Sequence, residues 1–279
     1  MLCFAASYAV ALALEFSGLW AHLRWRRLAL LATASAGLVA HTWYLGQRVA
    51  VAPRAPLASH QDWYLLAAWL LALVYLAVKF YHPRSSMGLF LLPALLALVA
   101  GAQFASTTPL ATFEGPRLWS RVHSVFLMLG TVAVLLGFLA GIMYLIQSYR
   151  LKQKRATGSA LHLPSLEWLE RINGRALEAA TLLVGGGFLT GVLSRLAQPG
   201  QENLIPWTDP LVMSLSAMLA WLVVAEVFRL VYPAARQGRK VAYLTVAAFA
   251  FLLFVLAMFL LQDSLHLTAP GGLTEEPIP

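Results

Sequence analysis

The chain has 279 residues, 60% of them hydrophobic and only 11% charged, with a mean hydropathy of +0.71 and a formal net charge of +8. This composition lies far from that of water-soluble domains and excludes a soluble globular core as the organising feature. The surplus positive charge needs no nucleic acid as partner, because anionic lipid headgroups attract it equally well.

Eight apolar stretches follow one another at about 3–20, 28–46, 63–82, 87–104, 119–147, 176–195, 211–231 and 241–262, each near the roughly 20 residues that cross a hydrocarbon core. Backbone polar groups in lipid must be satisfied within the segment, which makes such spans helices. The expected architecture is an all-α integral membrane protein, a bundle of about eight transmembrane helices forming a single polytopic domain over 1–279.

The first stretch carries Glu15, has no basic segment before it and is followed by Arg24, Arg26 and Arg27. It reads as a membrane anchor and not as a cleaved signal peptide. Nothing in the sequence supplies Glu15 with a partner. Cys3 is the single cysteine, so no internal disulfide and no thiol pair is available. The second stretch holds His41. The third is entered through Ala58-Ser59-His60-Gln61-Asp62, where His60 is expected in solvent, and Pro93 is expected to kink the fourth.

Small residues four apart, Gly137 and Gly141 in the fifth stretch and Gly187 and Gly191 in the sixth, predict close packing of these two helices. The linker at 148–175 starts basic and then places Leu166, Leu169 and Ile172 at helical spacing behind Ser165, a suitable N-cap. A short amphipathic helix on the membrane surface is expected there, leading into the sixth span. The loop at 198–210 ends in Pro206-Trp207-Thr208-Asp209-Pro210. Asp209 suits a helix cap, and Trp207 fits either an aromatic belt or a stacking platform for a flat ligand. Glu226 with Arg229, and Arg175 with Glu178, stand three apart and are expected to pair.

Fifteen of the twenty Lys and Arg residues fall in the first, third, fifth and seventh gaps. Loops rich in Lys and Arg stay in the cytoplasm, so these gaps are expected there and both termini outside. His41, His123 and His266 then fall near the outer face. His41 and His123 lie about five and four residues inside their spans, roughly 6–8 Å below the interface at 1.5 Å of rise per residue. Two readings stand: interfacial imidazoles partly in water, or a pair of neutral imidazoles ligating a metal such as haem iron. The residues alone do not choose haem over another metal. No nucleophile, acid–base pair or phosphate loop is visible, which speaks against an enzyme.

The order of elements also carries a resemblance. Val122-His123-Ser124 opens one span, Leu163-Pro164-Ser165-Leu166-Glu167-Trp168-Leu169 forms the linker, and Gly185-Gly186-Gly187-Phe188-Leu189-Thr190-Gly191 lies in the next span. Trp207-x-Asp209-Pro210, Ala220-Trp221-Leu222-Val223 and a terminal His follow. Over roughly 60–270 this resembles the cytochrome c assembly protein family, haem-handling proteins of the CcsA and HemX type. The resemblance implies a bacterial inner-membrane protein binding b-type, non-covalent haem. It implies His123 and His266 as axial ligands and Trp207 and Asp209 in the haem-facing loop. His41 matches a histidine of the eight-span members like HemX. Implied partners are membrane lipid and haem-synthesis or cytochrome c maturation proteins. The chain departs from the family pattern in keeping one Trp in that loop, with Thr208 before Asp209 and Leu211-Val212 after Pro210. Competing expectations are a HemX-like regulatory scaffold that transfers no haem, and a small-solute or ion transporter with Glu15 and Glu226 as carriers.

Overall fold

The computed structural model describes residues 1–20, 25–51, 59–107, 117–153, 161–196, 207–232 and 239–267. Each expected span is a helix: α1 (Leu2–Ser17), α2 (Arg26–Val51), α3 (His60–Tyr81), α4 (Gly88–Phe104), α5 (Arg117–Lys152), α6 (Leu166–Leu196), α7 (Pro210–Val231) and α8 (Arg239–Leu267). Among the described residues there is no strand. Six of these helices are long and apolar enough to cross a membrane, whereas α1 and α4 have only 16 and 17 residues. At 1.5 Å per residue those two reach about 24–26 Å, short of a hydrocarbon core of roughly 30 Å. The protein is thus an all-α membrane protein whose described residues include six helices of spanning length and two shorter apolar helices.

The helices form two groups of four. In the first, α1 packs on α2 and α4, and α3 packs on α4 and α2; in the second, α5 packs along α6 and α8, and α7 lies against α6 and α8. Phe4, Tyr8, Leu65, Leu71, Leu92 and Leu95 fill the first group and Leu177, Met218, Leu222 and Leu252 the second, and all belong to one continuous core. Aromatic stacks join helices of the second group, Phe138 on Phe249 with centroids 3.6 Å apart and Trp221 on Phe251 at 5.7 Å. The groups meet through α3 and α5, through the Tyr64 hydroxyl, which donates to the Leu256 carbonyl at 2.9 Å, and through a two-way clasp. In that clasp the Ser86 amide donates to the His162 carbonyl (2.9 Å) and the His162 amide to Ser86 Oγ (3.0 Å). Trp43, Leu182 and Val224 point away from the core and stay exposed, as lipid-facing side chains do.

Contacts at the helix ends reproduce the alternation of the basic gaps. The turn after α1, the α3–α4 turn and the segment before α6 meet at one end, and Arg229 and Arg239 join it through Gly174 and Ser148. At the other end, Arg48 of α2 bonds Asp62 of α3 at 2.7 Å, and the Gln61 side chain donates to the Ala102 carbonyl of α4 at 2.9 Å.

Three local expectations need correction. The linker at 165–175 is no separate surface helix: it forms the first turns of α6, with Ser165 Oγ capping the Trp168 amide at 3.3 Å. Leu169, Asn173, Leu177, Ala180 and Val184 make one uninterrupted buried face, so the segment packs into the core instead of lying on lipid. Gly141 faces α8, not α6, since an added Cβ would lie 2.8 Å from Thr245 Oγ1. Arg229 takes two carboxylates, Glu226 at 3.0 Å and Glu178 across the α6–α7 contact, so Glu178 pairs with Arg229 and not with Arg175.

Candidate functional site

His123 stands on the second turn of α5, at the end opposite the basic loops. Its ring faces α6, where Nδ1 lies 2.6 Å from the Gly187 carbonyl oxygen. A carbonyl only accepts, so Nδ1 carries the proton and donates it, which in a neutral ring leaves the lone pair on Nε2. One turn further along α6, a Cβ on Gly191 would come 2.8 Å from His123 Cε1 and 3.0 Å from Nδ1. Only glycine leaves that seat open. A Cβ on Gly187 would likewise collide with Leu127. The small-residue pair that suggested helix packing is therefore also what admits and orients an imidazole, and only the position of His123 opposite the pair could have signalled this in sequence.

Trp207 and Asp209 lie at the same end, on the approach to α7. Asp209 is the N-cap, its carboxylate accepting from the Leu211 amide at 2.8 Å and the Val212 amide at 3.4 Å, with Pro210 opening the helix. Capping thus occupies the Asp209 carboxylate. Trp207 is 49% exposed and carries the Arg195 guanidinium over its ring, 4.5 Å from the centroid. This cation–π contact ties the end of α6 to the start of α7. The rest of the expected loop, 198–206, lies outside the described residues.

α8 continues through Leu267, so His266 belongs to its last turn instead of following the span. Its side chain lies outside the described residues. Because α5 and α8 run in opposite directions, Ser148 meeting Arg239 and Phe138 meeting Phe249, the helix ends bearing His123 and His266 share one end of the bundle.

His41 sits elsewhere. α2 extends ten residues beyond it, to Val51, which places it about 15 Å from that helix end, deeper than expected. It is fully buried and stacks parallel on Phe4 of α1, centroids 4.2 Å apart, with Tyr8 edge-on at 6.2 Å. Among the described residues neither ring nitrogen of His41 nor the Tyr8 hydroxyl has a hydrogen-bond partner. The neighbours of His41 belong to the first helix group and those of His123 to the second.

His60 is not in solvent. It opens α3 and is buried, beside a capping box in which Ser59 Oγ accepts from the Asp62 amide and Asp62 accepts from the Ser59 amide, both at 3.2 Å. The Arg48 side chain, reaching Asp62 at 2.7 Å and Gln61 at 2.6 Å, closes this corner. The loop reads as polar in sequence, and only the docking of α2 and α4 buries it.

Among the described residues no group of three or more His, Cys, Asp or Glu side chains is placed to hold a metal ion. No curated protein and no solved structure matches the chain. The family model for the cytochrome c assembly protein matches residues 57–266. That stretch contains His123 and its glycine seat, Trp207, Asp209 and His266, and it leaves out α1, α2 and His41. With the elements that carry His123, its glycine seat, Trp207 and Asp209 inside the match, the chain belongs to the cytochrome c assembly protein family.

Proposed function

We propose that this protein handles haem in cytochrome c biogenesis, holding it at the end opposite the basic loops with His123 and His266 as axial ligands. Family membership supports the role in cytochrome c biogenesis. The observation that carries the haem reading is the 2.6 Å contact from His123 Nδ1 to the Gly187 carbonyl. A histidine that ligates a metal commonly gives its other ring N–H to a backbone carbonyl, which fixes the tautomer and turns the lone pair outward. A haem brings four nitrogens of its own, so two imidazoles complete the donor set and no three-residue protein cluster is needed.

In this reading Trp207 offers a ring beside the macrocycle, held by Arg195, while Asp209 fixes the start of α7 that carries the loop. His41 is the alternative second ligand. Its two unpartnered nitrogens leave a lone pair unspent, although Phe4 covers one face of the ring. When bound, a bis-imidazole haem supplies a low-spin iron centre for electron or haem transfer. The chain's own residues orient the ligating imidazole and close the site on the α6 side.

By the distribution of Lys and Arg, the basic loops are cytoplasmic and both termini lie outside, and the family resemblance implies a bacterial inner membrane. Haem would then sit on the side where apocytochromes c receive it, with membrane lipid and maturation or haem-synthesis proteins as partners. The ion pairs of Glu15 with Lys79 and of Glu226 with Arg229 speak for a structural role of these carboxylates and against the transporter reading.

The deciding experiment is the absorption spectrum of the full chain purified in mild detergent after haem-replete growth. A Soret band with low-spin features, reduced by His123→Ala, supports haem handling. A colourless parent protein leaves the HemX-like scaffold as the reading.

A further inference from the structure

At the basic end an open cavity of about 960 Å³ lies between the end of α1, the start of α2, the α3–α4 turn and the segment leading into α6. Its walls carry the side chains of Arg26, Arg27, Arg84 and His82, and the Ser86–His162 clasp spans its back. Among the described residues Glu15 is the single carboxylate lining it, and that charge is already answered by Lys79 Nζ at 2.6 Å and the Tyr75 hydroxyl at 3.0 Å. The guanidinium of Arg26 rests on Gly18, at the carbonyl end of α1, where the helix dipole favours a cation. Arg27 and Arg84 therefore give the cavity a positive potential that no carboxylate among its described lining residues cancels.

The size and charge fit an anionic headgroup, and the surroundings decide which kind. Trp20, Trp25, Phe80 and Tyr81 are exposed around this end, 82%, 58%, 68% and 75% accessible. Exposed aromatic side chains at the ends of spans mark the headgroup layer, so the mouth opens at the bilayer surface, where a lipid phosphate resides, and not into bulk water. Basic pockets between membrane helices bind such headgroups through charge-assisted hydrogen bonds. We propose that this cavity is a binding site for the phosphate of an anionic phospholipid, which would brace the two helix groups where the clasp joins them. The proposal uses the membrane-spanning fold and is independent of the haem reading.

The test is retention of lipid by the full chain in detergent, followed by native mass spectrometry during titration with phosphatidylglycerol or phosphatidylcholine. The parent should retain one phosphatidylglycerol in preference to phosphatidylcholine. Arg27→Gln with Arg84→Gln should weaken that retention about tenfold or more, as expected for removing two charge-assisted contacts. Arg171→Gln with Arg175→Gln, which removes two positive charges from the same end outside the cavity, should leave retention unchanged. Equal retention of the two lipids by the parent overturns the proposal, as does an equal loss in both double variants. Inorganic phosphate is the third arm: failure to displace phosphatidylglycerol supports a lipid site, and full displacement assigns the cavity to free phosphate and overturns it.

Discussion

Lys79 Nζ and Glu15 Oε1 lie 2.6 Å apart with side-chain exposures of 6% and 3%, an ion pair joining α3 to α1 inside the bundle. Lys79 also donates to the Ser85 carbonyl at 2.7 Å, and Tyr75 donates to the same Glu15 oxygen. Gly88 is the condition for this arrangement, since a Cβ there would lie 2.2 Å from Oε1. A charge that costs much to bury is thus compensated on several sides.

Removing one partner leaves the other charge uncompensated. Lys79→Met should destabilise the protein by about 3–5 kcal/mol, while Lys79→Met combined with Glu15→Leu should restore most of the loss. Thermal unfolding in detergent reads both. If the double variant is as unstable as the single, the pair is not the source of the effect.

Leu169 is fully buried on the continuous face of α6, whereas Glu167 is exposed and pairs with Arg171 at 2.8 Å. Leu169→Ala should cost about 2–5 kcal/mol. Glu167→Gln should cost well under 1 kcal/mol, as exposed pairs do. Similar yields of folded protein for the two variants would contradict the packed position of this segment.

Much of the architecture was legible in sequence because hydrophobic length and basic residues report directly on the membrane. The segments holding α1 to α8, the Asp209 cap and the Glu226–Arg229 pair could all be read from local spacing. Long-range pairing could not. Nothing near Glu15 in sequence points to Lys79, and Ser59-His60-Gln61-Asp62 looks like solvent-exposed loop until Arg48 of α2 and the end of α4 close over it. The linker differs from its sequence expectation for a related reason: its apolar stripe has the same phase as that of the span it enters, so both form one helix.

Gly191 offers a test of how His123 is held. Gly191→Leu should displace the imidazole, since even its Cβ would stand 2.8 Å from the ring, and any haem spectrum should shift as with His123→Ala. Gly46→Ala, where an added Cβ meets nothing within 4 Å, is the control. An unchanged spectrum in Gly191→Leu would mean that the seat does not position the ligand.

Orientation is checked by fusions. A reporter active only outside the cytoplasm should be active after Pro279 and inactive at Arg155, because the basic gaps alternate with the others along the chain. The opposite pattern would put the His123 end in the cytoplasm and remove the haem reading from the side where apocytochromes c are matured.

The ligands themselves are tested by four alanine variants. His123→Ala and His266→Ala should each lower bound haem or convert its spectrum from low to high spin, because either opens a coordination position. Added imidazole should restore part of the low-spin signal by entering the vacated place. His60→Ala should leave the spectrum unchanged and lower thermal stability, since His60 is packed in the corner formed with Arg48, Gln61 and Asp62 and not in solvent. His41→Ala decides between the two candidate second ligands. A loss of haem in His41→Ala with none in His266→Ala would move the site to the α1–α2 side, next to Phe4 and Tyr8, outside the stretch matched by the family model. If all four variants keep the parent spectrum, haem is held by none of these histidines, and His123 serves only to lock α5 onto α6 through Gly187.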